Sequence, residues 1–466
     1  MRCPPGSRRQ SRRRATAPRA GIVLLSLLAL PSLAAAETRN LDECIAIALA
    51  NKPSLKATSA VVQGANQRVW QSVSGYLPQV SATHETERRK ASLGSSTSTN
   101  VNCDTVTGLN CKRSVPTFNF FTAGVSFSQT LFDWGRQLAE IRAAQANERS
   151  LEADRDTQLE NVVFDVKQSY FDLLAAQRLA TVAAQTLAQN RTLLDEADSR
   201  YEVGMAPRFD VTRARVQLAG SELDQLTASN NVELARETLR NALGLNGPLG
   251  FNIADTLDVT AVNIDEQTAL STAYSQRPEL RSIDEQRNAV QLNVEALKRD
   301  YLPSVTGSGS YTWSGSEDPL QDSWAIGAAI NLSLFNGGLT TAQIGEQRAR
   351  LSELDYNRQT MEQSIALEVR QAVINLNQAR QKIEVSRAGR DEARENLEIA
   401  LGRYRGGVGN IIELTDAQTS STTADATYVQ ALYEHQIALA SLEKAMGRPV
   451  EPLAPKSQGT DPAEGR

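Results

Sequence analysis

Two tandem copies of one unit, each mostly long helix and each carrying a pair of short amphipathic strands, make this a mainly α chain with membrane β. The duplication is visible in the residues. Tyr76-Leu77-Pro78 recurs as Tyr301-Leu302-Pro303, 225 positions on, and Leu131-Phe132 recurs as Leu334-Phe335, 203 positions on. The second offset then holds through Val166/Val369, Tyr201/Tyr404, Gly204/Gly407 and Gly244/Gly447, so the copies differ by one stretch, 22 residues longer in the first. Surface loops tolerate such insertions, and the extra stretch is predicted to be one. Breaker-free helical stretches and period-two strands supply the other grounds.

Residues 1–36 carry seven Arg and no acid, an apolar run from Gly21 to Leu30 and then Ala34-Ala35-Ala36. This pattern reads as a secretory signal peptide. Arg8-Arg9 admits a twin-arginine reading, but Arg clusters are ordinary in such leaders and a barrel precursor travels unfolded. No Cys stands first after the cleavage signal, which argues against lipid anchoring there. Without the leader, 42 basic residues face 54 acidic ones, a formal charge of −12 that argues against nucleic acid as a partner. Past Leu30 no apolar run approaches the roughly 18 to 20 residues of a membrane helix, so any spanning segment must be strand.

From Arg136 to Val203, 68 residues contain neither Gly nor Pro, and the counterpart from Leu339 to Arg405 has 67 residues without Pro. Helices of this length, roughly 100 Å, belong to coiled coils or extended bundles. A narrow stripe (Leu159, Val162, Val163, Val166, Tyr170, Leu173) padded with Ala suits close knobs-into-holes packing. Short Gly-containing turns, Val203-Gly204-Met205-Ala206-Pro207 and Gly406-Gly407-Val408-Gly409-Asn410, are predicted to reverse each helix, with Pro207 as a first helical residue. The returning helices, Pro207 to Leu243 and Asn410 to Met446, have 37 residues each and are too short to match their partners. The 22-residue helices Ser54–Gly75 and Glu279–Asp300 are predicted to make up the length by stacking end to end on them.

Strand alternation is clear in Phe121, Ala123, Val125 and Phe127, in Trp324, Ile326, Ala328, Ile330 and Leu332, and in Val305 to Trp313; Val80 to Thr86 gives a weaker fourth. About ten residues with this dyad is the signature of an outer-membrane barrel strand. Phe118, Phe120, Tyr311, Trp313 and Trp324 are candidates for interfacial girdles. Four strands cannot close, and lipid forbids open edges, so the chain must oligomerise. A dimer gives eight strands with a filled interior; a trimer gives twelve with a lumen, above a twelve-helix tube.

Cys103 and Cys111 share the longer loop, and export to an oxidising space makes a bridge between them plausible, the alternative being two free thiols. Only His84 and His435 exist, neither at ligand spacing to the cysteines; no metal or cofactor is predicted. Pairs such as Asp154/Asp156 lie in helical charge patterns, no phosphate loop is present, and an enzyme is not predicted.

The chain resembles the TolC family of outer-membrane efflux and secretion channels. Leu41-Asp42-Glu43 with Asn51-Lys52-Pro53-Ser54-Leu55, the echo Arg277-Pro278-Glu279-Leu280, the Tyr-Leu-Pro pair and the two turns carry the likeness across Leu41 to Gly447. The resemblance implies a homotrimer with a twelve-stranded barrel in the outer membrane of a Gram-negative bacterium and a twelve-helix periplasmic tunnel. It further implies a periplasmic adaptor and an inner-membrane pump of the resistance-nodulation-division or ABC type. Adaptor docking maps onto Val203, Gly204 and Met205, and onto Gly406, Gly407 and Val408. Gate residues map onto Asp210, Tyr404, Glu413 and Asp416, while the family's latch Arg falls on Gly409, leaving the latch absent or rebuilt from Arg403 or Arg405. Asp210 and Glu413 also suit the first turn of a helix, and Asn410 with Glu413 reads as a capping pair.

The domains so predicted are the leader (1–36), first-repeat helices (37–75), a barrel hairpin with a long external loop (76–131), a tunnel hairpin (132–245), an equatorial linker (246–264), second-repeat helices (265–300), a second barrel hairpin (301–337), a second tunnel hairpin (338–447) and a tail (448–466). The expected function is the passive outer-membrane duct of a tripartite efflux or type I secretion system. The alternative is a trimeric coiled-coil adhesive stalk on a barrel anchor.

Overall fold

Helix boundaries fall where caps and breakers place them. The structure, a computed structural model, describes residues 38–90, 100–103, 111–114, 117–255 and 265–448. The leader, linker residues 256–264 and the tail from 449 lie outside the described residues. Helix α1 (Leu41–Asn51) opens with a capping box, the Asn40 side chain accepting from the Glu43 N–H at 2.9 Å. Helices α2 (Pro53–Val73) and α6 (Pro278–Arg299) each start on a Pro, where the missing N–H costs nothing. Between them come α3 (Arg136–Glu202), α4 (Arg208–Ala242) and α5 (Glu266–Gln276); α7 (Leu339–Arg405) and α8 (Ile411–Met446) complete the helices. Pro207 stands one place outside the expected position, with extended backbone at the N-cap of α4.

The long helices α3 and α7 have 67 residues each. On one side α3 packs along α2 and α4, on the other along α6 and α8, and α7 lies beyond α6 and α8. The protomer is thus a sheet of four columns, α2 above α4, α3, α6 above α8, then α7. No described helix is long and apolar enough to cross a membrane.

Two joints make the short columns continuous. Where α4 ends, Lys52 Nζ donates to Asn241 O at 2.9 Å; where α8 ends, Arg277 Nη1 donates to Lys444 O at 3.1 Å. The cations are 225 positions apart and the carbonyls 203, the two repeat offsets found in the sequence. Each joint has a glycine at positive φ. A Cβ on Gly244 would lie 2.9 Å from Lys52 Cα, and one on Gly447 would lie 3.2 Å from Arg277 N. Equivalent cores flank the joints: Cys44, Ala48, Val162, Val166, Leu173 and Leu239 in the first copy, Ala269, Ala273, Ile365, Val369, Leu376 and Leu442 in the second. Buried Arg277, 6 % exposed, also pairs with Glu279 at 3.3 Å and with Glu368.

Strands β2 (Gln79–Lys90), β5 (Thr117–Phe132), β7 (Ser304–Gly315) and β8 (Gln321–Asn331) form one antiparallel sheet in that order, open at β2 and β8. The fourth strand is longer than expected because β2 pairs with β5 as far as Lys90. Register aligns Val80, Phe127, Gly309 and Ile326 in one row and Ala82, Val125, Tyr311 and Trp324 in the next. This is the apolar, lipid-facing side. Tyr311, Trp313 and Trp324 lie on it, whereas Phe118 and Phe120 have the opposite parity and share the inner face with Glu87 and Arg89. The expected girdle is corrected to three aromatics for that reason.

Two further pairings were not foreseen. The two-residue strands β1 (Thr38–Arg39) and β6 (Asn252–Ile253) run parallel, drawing the start of the linker back to the equator. In the long loop β3 (Asn100–Cys103) pairs with β4 (Cys111–Ser114), with Cys103 opposite Cys111; their side chains lie outside the described residues.

At barrel and tunnel, strand becomes helix through two successive left-handed residues, Trp134 and Gly135 in one copy, Gly337 and Gly338 in the other. Asp133 accepts from the N–H groups of Gly135 and Gln137 at 3.0 and 2.8 Å, capping α3.

Gly244→Ala is expected to cost about 2–3 kcal/mol, from positive φ plus contact with the Lys52 backbone, whereas Gly204→Ala, in open space, costs about 1 kcal/mol. Chemical denaturation of the two variants decides. Near the second joint, burial and then the charge of Glu279 push Glu160 up to about 7. Its folded pKa lies above the unfolded value, so its contribution is complete below about 4.5 and is lost as pH rises through about 7. Glu160→Gln should therefore raise the melting temperature at pH 8 and leave it unchanged at pH 4.

Candidate functional site at the hairpin tips

Both long helices end in the same turn. Gly204 and Gly407 take φ of +72° and +73° with nothing within 4 Å of a notional Cβ, so conformation alone demands glycine there. The Met205 N–H reaches back to Arg200 O at 2.8 Å, and the Val408 N–H to Arg403 O at 3.0 Å. Val203, Met205 and Val408 are 68 %, 76 % and 73 % exposed, so each tip presents apolar side chains to its surroundings. Gly406 ends α7. Helix α8 begins with Asn410 Oδ1 accepting from the Glu413 N–H at 2.8 Å, the cap read from sequence.

A third core joins the two tips: Leu193 and Ala197 of α3, Val211 and Ala214 of α4, Tyr404 of α7 and Leu414 of α8 are among its members. Asp210 lies inside this contact. The sequence reading placed it among the gate residues and in the first turn of a helix; it lies in the first turn of α4, buried within the protomer and facing Tyr404. Burial raises the Asp210 carboxyl pKa, and the Arg200 charge opposes the rise. Tyr404 is likewise raised by burial, then by the Asp210 charge, and its buried hydroxyl stops short of hydrogen-bond geometry with any partner.

The other two carboxylates are placed differently. Glu413 accepts from Arg403 Nε at 2.8 Å within the second hairpin. Asp416, its side chain 71 % exposed, has Arg213 of the first hairpin 3.9 Å away. Asp210 and Tyr404 are therefore together, while Glu413 and Asp416 stand at the surface.

At Gly409 the turn leaves little room: its N–H bonds Arg403 O at 2.9 Å and a Cβ would lie 3.0 Å from Arg403 Cβ. A contact across the two hairpins is made by Arg200, which sequence reasoning missed. Its guanidinium donates to Tyr404 O at 2.9 Å and Arg405 O at 3.0 Å, and sits 4.8 Å from the Tyr404 ring centroid. Glu196 holds it from behind at 3.3 Å and also contacts Arg405 at 3.4 Å. Of the two arginines expected, Arg405 thus crosses between hairpins and Arg403 does not. The signal was available, since Arg200 is the repeat counterpart of Arg403, 203 positions earlier.

The profile of the outer membrane efflux protein family matches residues 44–245 and 269–448, both repeats nearly whole. The chain belongs to that family. Among its relatives, the outer membrane protein TolC of Vibrio cholerae is 23 % identical over 422 residues, covering 88 % of this chain and 90 % of that protein. TolC of Escherichia coli is 22 % identical, covering 91 % and 85 %. The solved structure of the Campylobacter jejuni CmeC outer membrane channel superposes with a TM-score of 0.75 at 20 % identity, covering 93 % of this chain and 94 % of that one, which establishes the fold. This member of the family is an outer-membrane efflux channel with its helical part in the periplasm, and such channels are not enzymes.

Arg200→Ala removes two charged donors from carbonyls at the end of α7, one part-buried and one exposed, and is expected to weaken the contact between tips by about 1–2 kcal/mol. Hydrogen exchange at Gly406, Gly407 and Gly409 should quicken, with Arg200→Lys intermediate; unchanged exchange would contradict the assignment. Because the Asp210 pKa is raised, its contribution is complete below the usual carboxylate range and is lost as pH rises through the folded value. Tip protection, measured against the intrinsic exchange rate at each pH, should rise on acidification, and Asp210→Asn should flatten that dependence.

Proposed function

We propose that three copies of this chain close into one conduit, docked at its periplasmic end to an adaptor and gated at the hairpin tips. The observation carrying this reading is that both lateral edges of the protomer are unsatisfied. Strands β2 and β8 have one unpaired edge each, and lipid cannot supply partners. The outer columns carry exposed apolar residues at helical spacing, Val216, Leu223 and Leu234 on α4, Leu367, Ile374 and Val385 on α7. Edges of two kinds on opposite sides make a head-to-tail contact, which closes as a ring. Twelve strands leave a lumen, whereas eight fill their own interior.

Apolar Val203 and Met205, with Val408 across, suit a helical adaptor that buries them around Gly204, Gly406 and Gly407. Asp416, exposed and only loosely held by Arg213, suits a carboxylate ring at the narrowing; Glu413 flanks it, and the Asp210, Tyr404 and Arg200 contact keeps the two hairpins of a subunit together. Cargo arrives from an inner-membrane pump of the resistance-nodulation-division or ABC type and leaves by diffusion, as in efflux or type I secretion.

Light scattering in detergent should give three chains; one or two would overturn the ring. In planar bilayers Asp416→Ala should raise single-channel conductance, and unchanged conductance in intact trimers would remove it from the gate. Val203→Asp with Met205→Asp should abolish cross-linking to the adaptor and leave the trimer intact.

A further inference from the structure

The outward face of β2 changes character along its length. Val80 and Ala82 lie level with the apolar rows of β5, β7 and β8; His84 is level with Ala123, Trp313 and Asp322; Arg88 and Lys90 follow, paired only with Asn119 and Thr117 of β5. The β2–β5 hairpin therefore rises above the β7–β8 hairpin. From Val80 to Arg88 is eight residues, about 26 Å of strand, or about 20 Å of height at a usual barrel tilt. That puts Arg88 and Lys90 above the Trp313 and Trp324 girdle on the lipid-facing side, at the headgroup level of the outer leaflet. The helices fix the direction, because they leave the opposite end of the barrel.

Acidic residues of this strand are not available to neutralise them. Glu85 and Glu87 have inward parity, and Glu87 already pairs with Arg89, which lies 4.6 Å from the Phe120 ring on that inner face. Arg88 and Lys90 are exposed and make no ion pair with any described residue. Two cations on the membrane side of an edge strand, without an ion pair to a described residue and just above an aromatic girdle, match fixed anions in the lipid headgroup plane, since Asp322, the outward carboxylate of the sheet, already accepts from the Tyr311 hydroxyl at 2.9 Å.

We propose that Arg88 and Lys90 form a binding surface for the phosphate groups of a phosphorylated outer-leaflet glycolipid. Three subunits would present three such surfaces around the barrel. Arg supplies a planar fork for a phosphate and Lys a point charge beside it.

Purified trimer is titrated with bisphosphorylated lipid A, with the same lipid after phosphate removal, and with inorganic phosphate, reading bound lipid by native mass spectrometry and Trp fluorescence. The wild type should retain the bisphosphorylated lipid and lose most retention when the phosphates are removed. Arg88→Ser with Lys90→Ser should weaken retention by about tenfold. Arg89→Ser, on the inner face of the same strand, should leave it unchanged. Equal retention of both lipids by the wild type would overturn the proposal, as would equal retention by wild type and double variant. Saturation by inorganic phosphate at the concentration that saturates with lipid would also overturn it, since the lipid would then contribute nothing. The lipid series on wild type needs no variant and decides even if the double variant fails to assemble.

Discussion

The architecture depends on two helix ends being joined without a covalent helix between them. At each joint the last carbonyls of a returning helix, the negative end of its dipole, meet the first turn of a helix that continues in the same direction. Lys52 and Arg277 stand between, donating to Asn241 O and Lys444 O, and Gly244 and Gly447 let the backbones meet where a Cβ would collide. Without these joints a 67-residue helix would have a 35-residue partner and an unmatched upper half.

The two joints are alike in geometry and different in electrostatics. Lys52 is a hydrated ammonium that adds a single bond. Arg277 is buried and draws Glu279 and Glu368 around it, with Glu160 close enough to Glu279 to feel its charge. A buried cation is costly to leave without partners, so the second joint is the more sensitive to loss of one. The two hairpins of one subunit accordingly meet their upper helices through unequal contacts, while the core at their tips holds them together.

At that lower end the contact between hairpins is a mixture of apolar packing and a few polar groups. Arg200 bonds the carbonyls of Tyr404, which also accepts from the Gly407 N–H at 3.1 Å, and of Arg405, so it secures α3 to the terminus of α7 and acts where a glycine at 409 forbids a side chain from the other hairpin. Asp210 is held there at the expense of its hydration, with Arg200 as the compensating charge.

Local chemistry determined a great deal by itself. Helix lengths, both turns, the Asn410 cap, the strand dyads and the stacking of short helices follow from periodicity, breakers and arithmetic on lengths; helix ends shift by a residue or two, while β2 and β5 run further than their dyads because each pairs with the other to its end. What tertiary structure decided is which face each side chain meets. Strand parity relative to neighbours moved Phe118 and Phe120 to the inner side and put Arg88 and Lys90 on the outer one; the core shared by α3, α4, α7 and α8 at the tips buried Asp210 and left Asp416 exposed. Arg200 was invisible for the same reason, because an arginine near a helix end looks like any dipole partner until a second helix brings its last carbonyls within reach. Periodicity is a property of one segment, whereas burial and pairing belong to two.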